Sequence, residues 1–92
     1  MLKAFNIGLM VILNPLIINF IFTGNGNWSD AGNWKNNNPP PAILPANAAI
    51  IIDPLPTGEC ILDIAYSITT GKKITVLAGK KFLVQGNLII TQ

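Results

Sequence analysis

The sequence predicts an all-β fold on three observations. Apolar and polar residues alternate along most of residues 48–92, the alternating runs are short, and glycine or proline turns separate them. Within that class the pattern fits a short right-handed parallel β-helix, a solenoid segment in which strands stack coil upon coil and glycines mark the corners. An antiparallel β-meander or sandwich is the alternative, because Gly86-Asn87 is a usable two-residue hairpin turn.

The chain begins with a different kind of segment. Lys3 is followed by 19 uncharged residues, 4–22, most of them apolar. That is the layout of a secretory signal peptide, and the run is also long enough for a membrane anchor. Pro15 and the scattered Asn6, Asn14 and Asn19 favour the export signal. In place of an Ala-x-Ala cleavage site the sequence has Gly24-x-Gly26, which would start a mature chain near Asn27. Residues 1–26 are therefore expected to be an apolar signal or anchor helix, touching a membrane only through residues 3–22 if uncleaved.

Residues 27–47 read as a Trp, Asn and Pro-rich cap and connector. Gly-Asn-Trp occurs twice, at Gly26-Asn27-Trp28 and Gly32-Asn33-Trp34, and Pro39-Pro40-Pro41 and Pro45 fix their own φ and push each preceding residue into an extended conformation, so the segment is expected to run as polyproline-like chain over a surface. Residues 48–92 read as solenoid-like repeats. Ile50-Ile51-Ile52 is a β-branched run stopped by a turn over residues 53–58, and Cys60, Leu62, Ile64, Tyr66 and Ile68 then recur with period two. The eight residues from Gly71 to Ala78 are echoed by those from Gly79 to Gly86, each copy opening Gly-Lys-Lys. Ile74, Val76, Phe82, Val84, Leu88 and Ile90 continue the even-numbered apolar set, which is the expected core face. Ile61, Leu77, Leu83 and Ile89 make the odd face only partly polar.

Composition excludes several functions. The chain has six lysines, no arginine and four acids, giving a net charge of +2, so no nucleic-acid partner is expected. Without histidine there is no Ser-His-Asp triad, no Cys-His pair and no histidine metal site. The single cysteine, Cys60, cannot form an internal disulfide and reads as a small core residue. Asp30, Asp53, Glu59 and Asp63 are the whole acidic inventory, too dispersed for paired-carboxylate chemistry or a recognised calcium loop. No catalytic residue, metal or cofactor is expected.

In order along the chain, Gly26-Asn27-Trp28, Asn33-Trp34, Pro39-Pro40-Pro41, Ile50-Ile51-Ile52-Asp53, Gly58-Glu59-Cys60-Ile61-Leu62 and the ladder from Gly79 to Ile90 resemble the opening of secreted surface proteins typical of Bacteroidota. The resemblance spans nearly all of the chain after the leader. It implies the N-terminal turns of a parallel β-helix on a secreted or cell-surface protein. Because the sequence stops at Gln92 without a capping element, it reads as a truncated frame or the first piece of a longer architecture.

Two residue groups compete as a binding surface. Trp28 and Trp34, with Asn27 and Asn33, suit stacking on sugar rings, which makes a small carbohydrate-binding module the alternative function; otherwise the rings close one end of the β core. Lys72-Lys73 and Lys80-Lys81 gather four charges along one edge if their repeats stack, or else solvate turns and blunt edge pairing. The expected function is a structural, adhesin-like segment and not an enzyme. Its expected partners are extracellular glycan, further β-helix coils, or a second copy paired through the exposed strand at residues 88–91.

Overall fold

The structure, a computed structural model, describes residues 18–91. They form eight strands: β1 Ile18–Phe22, β2 Gly26–Asn27, β3 Ala48–Ile52, β4 Cys60–Leu62, β5 Ala65–Ile68, β6 Lys73–Val76, β7 Phe82–Val84 and β8 Asn87–Ile90. Two short 3-10 turns, Ala31–Asn33 and Lys35–Asn37, are the only helical pieces among the described residues. The described residues are all-β, as the alternation predicts.

The strands make three small sheets with orders β1-β3-β6, β2-β4-β7 and β5-β8, here called the first, second and third. With three strands at most, they fall short of the extended stack of a solenoid. Every ladder is parallel: Ile18 lies opposite Ala48, Ile50 opposite Ile74, Cys60 opposite Phe82 and Tyr66 opposite Leu88. The chain visits first and second sheet, then first, second and third, then first, second and third again. In the first of these circuits a loop, residues 28–47, follows β2 where a third-sheet strand stands in the other two.

The antiparallel alternative is therefore corrected. Gly86-Asn87 is a corner and not a hairpin: the Gly86 N–H donates to the Leu62 carbonyl at 2.7 Å and the Asn87 N–H to that of Ile64 at 3.2 Å. Both bonds run to the preceding circuit, so β7 and β8 go to different sheets. A Cβ on Gly86 would lie 2.1 Å from the Ile64 carbonyl oxygen. Only glycine lets the two corners touch.

The expected N-terminal helix is corrected over residues 18–22. Ile18, Phe20 and Phe22 face inward with period two while Asn19 and Ile21 face out, and the whole strand pairs with β3. Length and hydropathy suggested a helix, but two-residue alternation and β-branched Ile18 and Ile21 fit a strand with a partner beside it. The expected boundary after Gly26 falls inside β2. The remainder of that segment, residues 1–17, lies outside the described residues.

The core follows the even-numbered set and extends it toward the N-terminus. Phe20, Phe22, Trp28, Ile50, Ile52, Cys60, Leu62, Tyr66 and Ile68 are buried in one cluster with Trp34, Leu44 and Ala48. Burial of an isoleucine such as Ile50 contributes about 2 kcal/mol. Four expected core residues are more than a third exposed: Ile64, Val76, Val84 and Ile90. Ile64 sits in the bend between β4 and β5. The other three belong to β6, β7 and β8, each of which has a neighbour on only one edge among the described residues.

The connector also departs from its expected surface path. Pro40 and Leu44 are buried, and the Tyr66 hydroxyl donates to the Pro41 carbonyl. The proline segment covers part of the core that no strand covers.

Candidate functional site

The repeated Gly-Asn-Trp places its two rings inside the molecule. β2 ends at Asn27, and the Trp28 N–H continues the ladder by donating to the Ile61 carbonyl at 2.7 Å. Its ring then points inward, 5.1 Å from that of Tyr66 and 6.3 Å from that of Phe82. Residues 29–33 turn the chain back, with Asp30 capping the first 3-10 turn by accepting the Gly32 N–H. Trp34 thereby returns to β1, where it makes an antiparallel bridge with Phe22.

The rings of Trp28 and Trp34 meet edge to face at 4.9 Å, and Trp34 meets Phe22 likewise at 5.3 Å. The Trp34 indole N–H donates to the Trp28 carbonyl at 2.8 Å, so its polar atom is satisfied within the core. Each tryptophan is 2% exposed. This corrects the stacking-platform expectation, because neither ring offers a face to a sugar.

The two asparagines of the motif hold this loop together. Asn33 donates its side-chain amide to the Asn27 carbonyl at 3.0 Å and accepts the Asn25 N–H at 3.2 Å, while its own carbonyl accepts from Thr23 and Gly24. Asn27, exposed in side chain, contributes its carbonyl. A Cβ on Gly24 would lie 2.2 Å from the Asn33 amide oxygen. The second copy of the motif thus locks the first. Asn25 does the same between circuits, accepting the Glu59 N–H at 3.0 Å; this role had no signal beyond the Asn-Gly composition of the segment.

The lysine pairs do not stack. Gly71 and Gly79, with φ of 86° and 77°, begin successive corners of one circuit, so the eight-residue repeat maps onto adjacent sheets. Residues that do stack are 22 to 34 positions apart. Lys80 lies 3.3 Å from the Asp53 carboxylate and donates to the Pro54 carbonyl at 2.9 Å, and Lys81 is 3.7 Å from Glu59. Lys72 donates to the Thr69 hydroxyl at 2.8 Å. The two pairs stand at the start of β6 and before β7, the second paired with carboxylates and the first with none among the described residues.

Titratable groups elsewhere serve the framework. Burial, helped by nearby Asp63, pushes the Cys60 thiol up to about 12, which makes it a poor nucleophile. Burial also pushes the Tyr66 phenol up to about 12. The Ser29 hydroxyl and N–H both donate to Asp63, and the hydroxyl bond above all holds that carboxyl below its usual range. Among the described residues no three His, Cys, Asp or Glu side chains are grouped to hold a metal, and no helix is long and apolar enough to cross a membrane.

A groove of about 520 Å³ lies on the outer face of the first sheet, where Asn19, Ala49, Ile51, Lys73 and Thr75 project from three adjacent strands. No protein-family model matches the chain, and no curated protein or solved structure does either.

Proposed function

We propose that the protein is a secreted or cell-surface structural segment, adhesin-like and not catalytic, built as the opening of a right-handed parallel β-helix that belongs to a larger surface assembly. The observation that supports it best is the cyclic order of the parallel ladders. Successive circuits superpose inward positions in columns, such as Phe20, Ile50 and Ile74, so the circuit can be extended by adding strands to the same edges. A parallel connection of this kind is right-handed in nearly all proteins. Further coils, or a second copy, would cover Val76, Val84 and Ile90.

Export rests on Lys3 and the apolar residues after it, with one adjustment. Cleavage near Asn27 would remove β1 and take Phe20 and Phe22 out of the core, so processing falls before Ile18. The carbohydrate-binding alternative through Trp28 and Trp34 is not retained, since both rings are core.

The test is labelling of intact cells with an antibody to the chain, coupled to mass spectrometry of the mature N-terminus. Surface labelling, with a first residue upstream of Ile18, is expected. Labelling only after permeabilisation would overturn the reading.

A further inference from the structure

The groove on the first sheet has a chemical character set by strand register. Across the sheet Asn19 lies beside Ala49 and Ala49 beside Lys73; in the next outward row Ile21 lies beside Ile51 and Ile51 beside Thr75. Alanine between two longer side chains leaves a notch, and Ile51 and Leu77 give it an apolar floor and wall. Asn47, held at a φ of 62°, and the Gly71 corner close one end, where Lys72 also stands.

Its charge is uncompensated. Lys80 and Lys81 have carboxylate partners, whereas among the described residues Lys72 and Lys73 make no ion pair, and no acid lines the groove. Asp30 and Asp63 are bonded within the loop and corner around residues 29–32 and 63. Two ammonium groups, amide and hydroxyl side chains, and an apolar strip together suit a molecule with an anionic edge, several hydroxyls and a C–H face. The volume falls in the range of about 300–1,000 Å³ typical of ligand sites.

We propose that this groove binds an acidic polysaccharide of the uronate type. The sugar carboxylate faces Lys72 and Lys73, the ring C–H face lies against Ile51 and Leu77, above the nearly buried Ala49, and hydroxyls reach Asn19, Asn47 and Thr75. This would give a surface segment an anionic glycan to hold. It rests on the outer face of one sheet, so it can fail while the surface-scaffold reading stands.

Affinity electrophoresis of the full chain tests it, using gels that contain polygalacturonate, with dextran as the neutral control and co-sedimentation with phosphatidylglycerol vesicles as a second arm. Retardation by polygalacturonate that weakens with salt, and none by dextran, is expected. Replacing both Lys72→Gln and Lys73→Gln should lower affinity by about tenfold or more, while Lys80→Gln with Lys81→Gln, which lie outside the groove lining, should leave it within about twofold; general surface attraction would make the two effects equal. Ala49→Leu, which fills the notch, should abolish retardation without changing the circular-dichroism spectrum; if it unfolds the chain, the lysine variants decide. Equal effects from the two lysine pairs, no retardation of the parent chain, or binding to vesicles alone would overturn the proposal.

Discussion

The first two circuits of the chain and the last carry the same alternation in sequence but differ in burial. Ile50, Ile52, Cys60 and Leu62 are wholly buried, while the residues that stack on Ile52, Leu62 and Ile68, namely Val76, Val84 and Ile90, are 41%, 46% and 54% exposed. Nothing in their own side chains accounts for this. β3 and β4 have neighbours on both edges, and the segment 28–47 packs Trp34 on Phe22 of β1 and Trp28 and Pro41 on Tyr66 of β5, whereas β6, β7 and β8 have neighbours on one edge only among the described residues and no such cover. The comparison teaches that in a parallel stack the local pattern sets which way a side chain points, and the neighbouring circuit sets how much that burial contributes.

The sharpest way to break the comparison is in the first circuit. Phe22→Ala removes a ring packed on Trp34 and should cost about 4 kcal/mol in chemical denaturation. Gly86→Ala attacks the joint between the circuits. With a Cβ 2.1 Å from the Ile64 carbonyl, it should cost about 3 kcal/mol, and an equally stable variant would mean that the corners do not touch.

Alkaline titration probes the same interior. The Cys60 thiol, raised from an ordinary 9.0 to about 12, stays protonated in the folded chain while it ionises in the unfolded one. Its contribution is therefore complete below pH 9 and is lost as pH rises toward about 12. A fall on the order of 4 kcal/mol across that window is expected, reduced in Cys60→Ser.

Smaller effects belong to the last circuit. Val84→Ala should cost about 0.5 kcal/mol because nearly half the side chain is already exposed. A value near that of a fully buried valine would show that this face is covered in solution. Lys81→Gln should change stability by no more than about 0.3 kcal/mol, as its 3.7 Å pair with Glu59 is solvent-exposed.

The all-β class and the inward set were legible because period two is a local property of the chain. The same rule reads Ile18, Phe20 and Phe22 as a strand face, yet there the length of the apolar run suggested a helix. The run did not reveal that β3 lay alongside to accept the strand's hydrogen bonds. The place of the two tryptophans was the least legible. Trp28 and Trp34 stood among Asn and Gly, the surroundings of an exposed turn, and only the return of Trp34 to Phe22 put them inside.

From residue 48 onward the sequence by itself determined the strands, the breaks between them and, for most residues, the side each faces, since these follow from glycine, proline and alternation over a few residues. The tertiary structure decided what each strand pairs with, and so everything that needs distant residues together: the parallel ladders, the buried tryptophans, the separation of the two lysine pairs and the groove between Asn19, Ala49 and Lys73. The physical reason is separation along the chain. Stacked residues lie 22 to 34 positions apart, farther than any local propensity reaches.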